Sequence, residues 1–267
     1  MLEIKGAWCV VTGGASGIGA AVASELIEQG ARVIIADKNS LRAETYAAEL
    51  RGRHADSALA YGVDVSNESA MTTFAQWTAS EVGSVDVLVN SAGILRLGLP
   101  LATTLSEWDE LYRVNLRSAV HATQLFVPKM VERKQGAVIQ IASASGKIGL
   151  APLAAYSALK FALIGFSQSL RASLDGTGVQ VGCVSPGLVR TNILESACLD
   201  EDERAKMNIS LHKHGIDPER VANAVLRTIR QNLTHVDVGS DAHVVSLLAR
   251  LLPSSASTYL ARIARRY

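Results

Sequence analysis

The sequence predicts an α/β protein, a doubly wound parallel sheet of about seven strands with helices on both faces. Three observations predict it. Short, nearly continuous apolar runs recur along the chain, the pattern of parallel strands covered on both sides. Stretches of helical length separate these runs, as crossovers between parallel strands require. A glycine turn joins the first run to the first helix, and no repeat, low-complexity stretch or composition shift interrupts the alternation before residue 191. One domain over residues 1–267 is therefore expected, because α/β units of this size are routinely single.

The elements follow in order. Ala7 to Thr12 is the first strand, and Ala20 to Gln29 is a helix closed by Gly30. Arg32 to Asp37 is the second strand and Leu41 to Arg51 the next helix. Ala58 to Asp64 is a strand, Asn67 to Glu81 a helix and Val85 to Asn90 another buried strand. Ser106 has the features of a helix cap, with acids in the first turn. That helix is expected to run to about Arg133 with a kink at Pro128. Ala137 to Ala142 is a strand, followed by a small-residue loop, a helix around Tyr156 and a strand from Val179 to Val184. Asn192 to Gly215 reads as polar and irregular, with a charge run from Asp200 to Arg204. Asp217 with Pro218 starts a helix leading to Arg230, and His235 to Gly239 is the last strand. A helical extension over 241–267 places Val244, Leu247, Leu248 and Leu251 on one face.

Composition excludes several functions. Lys plus Arg at 26 against Asp plus Glu at 25 leaves no electrostatic footprint for nucleic acid. The apolar runs are strand-length, far short of the ~20 residues of a membrane span. A strand-like run begins by Ala7, which argues against a cleaved leader. Cys9, Cys183 and Cys198 have no metal-like spacing and suit reduced thiols of a cytoplasmic protein. His212 and His214 lack the company of a metal site and are expected at the surface, so no metal is anticipated.

Two stretches carry chemistry. Gly13, Gly17 and Gly19 lie between a strand and a helix start, the context in which backbone N–H groups and a helix dipole cradle a pyrophosphate. Asp37 ends the next strand about 20 residues later, where a carboxylate accepts from adenosine ribose hydroxyls and repels a 2′-phosphate. NAD is favoured, although Lys38 and Arg42 keep NADP open. Tyr156 and Lys160 share a helix face one turn apart, so the ammonium is expected to favour phenolate and lower the phenol's pKa. Ser143, at the end of the preceding strand, can fold its hydroxyl back over Tyr156 and bond an oxygen held between them. A Tyr and Lys so spaced are common in ordinary helices, and the pair gains weight only from what accompanies it.

Thr12-Gly-Gly-Ala-Ser-Gly-Ile-Gly19, Asp37, Asp64, Asn90-Ser-Ala-Gly93, Asn115, Ser143, Tyr156-x-x-x-Lys160 and Pro186-Gly187 through Thr191 stand in the order and spacing of the short-chain dehydrogenase/reductases. The sequence resembles that family closely over residues 5 to 191. The resemblance implies a Rossmann fold and an NAD(P) cofactor. It implies that Ser16 and Ile18 approach ribose and phosphates, Asp64 and Val65 the adenine, and Asn90 and Gly93 the adenosine ribose. In the segment from Pro186 and Gly187, the backbone near Val189 and the side chain of Thr191 would hold the nicotinamide carboxamide; Tyr156 and Lys160 would contact the cofactor too, and Asn115 would link Lys160 to solvent as a proton relay. Ser91 departs from the family's second asparagine.

The expected activity is interconversion of an alcohol and a carbonyl with NAD. Tyr156 would exchange the hydroxyl proton, Lys160 bias it, Ser143 polarise the oxygen and Asn115 support the relay. An NADPH-dependent carbonyl reductase and a non-catalytic dinucleotide-binding sensor or scaffold are the alternatives. The segment 192–215 is expected to act as a lid, with the tail helping to line an apolar pocket for a hydrophobic secondary alcohol or ketone. The competing expectation is that the lid merely packs on the core and the tail serves a homodimer or homotetramer contact. Peripheral membrane contact through the basic, apolar tail is a weaker alternative.

Overall fold

The computed structural model describes residues 2–197 and 200–251. Cys198 and the tail beyond Leu251, on which parts of the expectations above fall, lie outside the described residues.

Seven strands form one sheet in the order β3-β2-β1-β4-β5-β6-β7. They are β1 (Trp8–Thr12), β2 (Arg32–Asp37), β3 (Ala58–Gly62), β4 (Val87–Asn90), β5 (Gly136–Ile141), β6 (Val179–Pro186) and β7 (His235–Val238). Every pairing is parallel. Strand residues alternate between two cores, as a two-residue period demands. Cys9, Val11, Val33, Ile35, Val87, Val89 and Ile139 face one core, and Val10, Ile34, Leu88 and Val138 face the other. Helices α1 (Gly17–Glu28), α2 (Ser40–Arg53) and α8 (Pro218–Gln231) supply Leu26, Leu50 and Ile229 to the first. Helices α3 (Glu68–Val82) and α5 (Ser118–Glu132) supply Phe74 and Phe126 to the second. The remaining helices are α4 (Leu105–Tyr112), α6 (Ala154–Ser173), α7 (Glu201–His214) and α9 (Ser240–Leu251).

The order reverses between β1 and β4, so the chain crosses to the opposite side of the sheet there. A crevice at the carboxyl ends of the strands is the geometric result.

Three expectations change. Thr104, not Ser106, caps α4, because Thr104 and Glu107 bond each other's backbone N–H in a reciprocal capping box. The break in regular hydrogen bonding falls at a π-helical turn, Arg113–Arg117, while α5 runs through Pro128. The stretch expected to be irregular contains α7, a well-formed helix. Asp200 accepts from the Glu203 N–H, three acids occupy the first turn, and His212, Lys213 and His214 occupy the last. Its ends satisfy the helix dipole although no apolar stripe announces it.

Candidate active site

The glycine turn is built by close approach. A Cβ on Gly19 would lie 2.1 Å from the Gly13 carbonyl oxygen, so only glycine closes this corner. Gly17 has φ +52°, and a side chain there would meet Thr191 at 3.2 Å. The Pro186–Thr191 segment thus reaches back over the start of α1, bringing Gly17 and Thr191 together. Thr12 fixes the other wall: its hydroxyl accepts from the N–H groups of Ser91 and Ala92. Ser16 caps α1 without a side-chain bond, and the first turn holds no acid. The opening N–H groups of α1, with Ile18 half-buried beside them, are therefore left for an anion.

Asp37 ends β2 beside this turn. Its Oδ2 accepts from the Ala15 N–H at 3.2 Å and its Oδ1 from the Asn39 N–H at 3.0 Å. Lys38 is exposed and, like Arg42, carries its charge to solvent. Asp64 lies just past β3, where its Oδ1 accepts from the Ser66 N–H and hydroxyl and caps a turn, with half-buried Val65 packed on the core. Asn90 donates to the Ala119 carbonyl at 3.4 Å, and its buried Oδ1 has no partner. These features fit a dinucleotide laid across the strand ends: an uncapped helix start, a carboxylate beside the glycine turn and an unsatisfied amide oxygen.

Ser143, Tyr156 and Lys160 converge one strand away. β5 delivers Ser143, which caps a single 3-10 turn, Ala144–Gly146, and accepts from the Ser145 N–H. α6 carries Tyr156 and Lys160 on its buried face. Tyr156 is 8% exposed, and Ser143 lies beside its phenol. Burial pushes the phenol up to about 12, more than the neighbouring Ser143 hydroxyl lowers it. This reverses the expectation that Lys160 would depress it. Lys160 is itself buried, which pushes its ammonium down to about 8. Its Nζ lies 5.6 Å from the Tyr156 ring centroid and donates to the Ile141 carbonyl at 2.9 Å. The cation faces the ring and a carbonyl rather than pairing with the phenol oxygen.

Asn115 sits in the π-turn, 1% exposed, with Oδ1 accepting from the Ile94 N–H at 2.8 Å and Nδ2 donating to the Ile94 carbonyl at 2.9 Å. The extra residue of the π-turn swings this amide onto the backbone after Gly93. The absent side chain of Gly93 would lie 3.0 Å from Asn115 Oδ1 and 3.9 Å from Lys160 Nζ, so Gly93, Asn115 and Lys160 share one corner. Asn115→Ala is expected to leave two buried backbone groups unpaired and to destabilise the chain by about 2–4 kcal/mol. A thermal melt should then drop by roughly 5–15 °C. An unchanged melting temperature would remove the clamp from the account.

An apolar cluster surrounds Tyr156. Leu95, Leu194 and Leu211 are buried with it, and Leu97, Leu153, Ile193 and Met207 pack against them. The segment 192–215 reaches this cluster from both its 3-10 turn, Asn192–Ser196, and α7. Ser196 ties it down by accepting from the Leu95 N–H at 2.9 Å. A cavity of about 310 Å³ lies beneath α7, lined among others by Thr191, Leu194, Asn208 and Leu211. Leu95 and Leu153 escaped the sequence reading because nothing local in an apolar loop marks which face it presents.

A family model described as short chain dehydrogenase matches residues 7–202. The chain belongs to the short-chain dehydrogenase family. A D-threitol dehydrogenase from Mycolicibacterium smegmatis is 37% identical over 194 residues, 72% of this chain and 73% of that protein. A 3-oxoacyl-(acyl-carrier-protein) reductase from Aquifex aeolicus is 34% identical over 84% of this chain and 90% of its own length. Among solved structures, a short-chain dehydrogenase from Streptomyces avermitilis aligns with TM-score 0.84 and 26% identity over 98% of both chains. A short-chain dehydrogenase/reductase from Burkholderia phymatum, in complex with NAD, aligns with TM-score 0.87 and 20% identity over 94% of this chain and 95% of that one. This short-chain dehydrogenase is an oxidoreductase by family. Among the described residues no helix is long and apolar enough to cross a membrane, and no cluster of His, Cys, Asp and Glu is placed to hold a metal.

Proposed function

We propose that this short-chain dehydrogenase interconverts a hydrophobic secondary alcohol and its ketone with NAD, using Tyr156 as the proton-exchanging group. The observation that carries the reading is the apolar cluster of Leu95, Leu194 and Leu211 around a buried Tyr156 that lies beside Ser143. Bound across the strand ends, the nicotinamide supplies the hydride acceptor for oxidation or donor for reduction. The glycine turn, Asp37, Asp64, Val65, Asn90, Gly93 and the segment from Pro186 through Val189 to Thr191 would hold the dinucleotide.

In reduction, the neutral phenol of Tyr156 donates its proton to the carbonyl oxygen as the carbon receives hydride. In oxidation the same atoms run in reverse, and the phenolate takes the hydroxyl proton. With the phenol pushed up to about 12, the free chain holds Tyr156 protonated at neutral pH, the form that donates in reduction. Ser143 donates to the substrate oxygen, and the Lys160 ammonium beside the ring favours the charge that develops on Tyr156. The lid excludes water from this oxygen. One relative is named for a small polyol and another for an acyl-carrier ketone; the apolar lining favours a substrate nearer the second in hydrophobicity.

The test is a panel of secondary alcohols and ketones, polar and apolar, assayed with NAD(H) and NADP(H). Higher kcat/KM on the apolar members with NAD(H) is expected; a preference for polyols would overturn the substrate reading. Asp37→Ala is expected to relax or reverse the cofactor preference, because it deletes the ribose acceptor and the repulsion of a 2′-phosphate while Lys38 and Arg42 remain. A wild type that already prefers NADP(H) would show that these cations outweigh Asp37.

A further inference from the structure

A half-buried ion pair lies beside the candidate site and plays no part in the chemistry above. Lys147 follows the 3-10 turn capped by Ser143, the one long charged side chain in a loop of small residues. Its ammonium donates to Asp237 Oδ1 at 2.5 Å and to Ser246 Oγ at 3.0 Å. The Lys147 and Asp237 side chains are only 16% and 15% exposed. Burial alone would raise the Asp237 carboxyl, but the bonded Lys147 ammonium and the neighbouring His235 and Ser246 side chains outweigh it and hold the group well below the usual carboxylate range. Asp237 belongs to β7 and Ser246 to α9, so one ammonium ties the Ser143 loop to both.

The first turn of α9 makes a second tie. Asp241 Oδ2 accepts from the Leu188 N–H at 2.7 Å, inside the Pro186–Thr191 segment. A Cβ on Gly187 would fall 2.0 Å from that carboxylate, so glycine is what lets the two approach. The buried Ala242 and half-buried Val245, Ser246 and Ala249 form the side of α9 turned toward the protein, while Val244, Leu247 and Leu251 are exposed. The helix therefore rests against the catalytic loop and the 186–191 segment at once, and its exposed face lines no part of the cluster around Tyr156.

We infer that α9 is a clamp in which Lys147 with Asp237 and Ser246 positions the Ser143 loop, and Asp241 positions the segment that carries Val189 and Thr191. None of these is a catalytic residue; each acts through a backbone segment. Charge-assisted bonds are stronger than neutral ones, which suits a device that sets the separation of two loops. The inference rests on the reading of Ser143 and Tyr156 as the proton-exchanging pair.

The experiment uses the full chain and three variants. Lys147→Met with Asp237→Leu removes both half-buried charges together, so that no unpaired carboxylate is left behind. This double variant is expected to lower kcat about tenfold or more through misplacement of Ser143 while NADH affinity, read by fluorescence titration without substrate, stays near wild type. Asp241→Ala is expected to weaken NADH binding about fivefold, the worth of one hydrogen bond, and Asp241→Asn, which keeps an acceptor for Leu188, should restore it. Folded variants with wild-type kcat and wild-type NADH affinity would overturn the clamp. A parallel fall in melting temperature alone would do the same, since that is all a merely structural tie predicts. If the wild type binds NADH but turns over no alcohol or ketone, the proposed function fails, and the titrations on Asp241→Ala and Asp241→Asn still decide the cofactor side of the clamp.

Discussion

Replacing Tyr156 by phenylalanine is expected to lower turnover about 10²–10⁴-fold, the range a positioned acid/base group contributes. Dinucleotide binding should be nearly unchanged. The substitution deletes one oxygen and nothing else: the ring remains packed against Leu95, Leu194 and Leu211. Ser143 keeps its bond from the Ser145 N–H, so its loop is not released. The cofactor-side features, from Gly13 to Thr191, involve no atom of the phenol. Steady-state rates with an NADH titration of both proteins decide the matter. Wild-type turnover in the variant would remove Tyr156 from the mechanism.

Lys160→Met is expected to abolish most turnover and, at neutral pH, to make the chain more stable. Burial holds the ammonium at about 8 against an ordinary 10.5, which means the fold disfavours the charged form. Below pH 8 both folded and unfolded chains carry the proton, and the wild type bears the full penalty. As pH rises from about 8 toward 10.5 the folded chain gives up its proton before the unfolded one does, so the penalty fades over that window. At 1.36 kcal/mol per pKa unit the penalty is about 3 kcal/mol, and the lost bond to the Ile141 carbonyl reduces the net gain to about 1–3 kcal/mol. Melting temperatures of the two proteins should therefore differ most near pH 7 and converge toward pH 10. A difference independent of pH would show that the charge is not what the fold resists. A catalytic group retained at a cost in stability is a common arrangement in active sites.

Much of this was legible because the signals are local. The buried strands announce themselves as apolar runs, and the glycine turn is legible because backbone crowding at Gly19 leaves one residue type able to fill it. Tyr156 and Lys160 are one helical turn apart, so sequence alone places them together. Asn115 was legible as an oddity within a helix, and its bonds to Ile94 were not, because they need the register shift of a π-turn. α7 went unread for a different reason: its helix is secured by charges at its ends, and the usual apolar period is missing. Lys147 to Asp237 and to Ser246 spans 90 and 99 residues, and nothing near any of the three reports the other two. The phenol and ammonium pKa directions were also beyond a linear reading, since burial depth decides them and neighbours in sequence do not.

The parallel order of the sheet has a consequence for how the chain reaches this state. β1 pairs with β2 and β2 with β3 across single crossovers, as do β4 with β5 and β5 with β6. The pairing of β1 with β4 closes a much longer loop, and the bond from the Trp8 N–H to the Asp86 carboxylate, which helps secure it, spans 78 residues. Loop-closure entropy grows with that separation, so each half of the sheet has cheaper contacts to make before the two halves meet. The seam between them is the switch point on which the glycine turn and the Asn90–Gly93 turn converge. Thr12 bridges that seam through its bonds to Ser91 and Ala92. The crevice therefore exists only once this long-range pairing has formed. A molecule that binds in it stabilises only chains that have completed both halves and joined them.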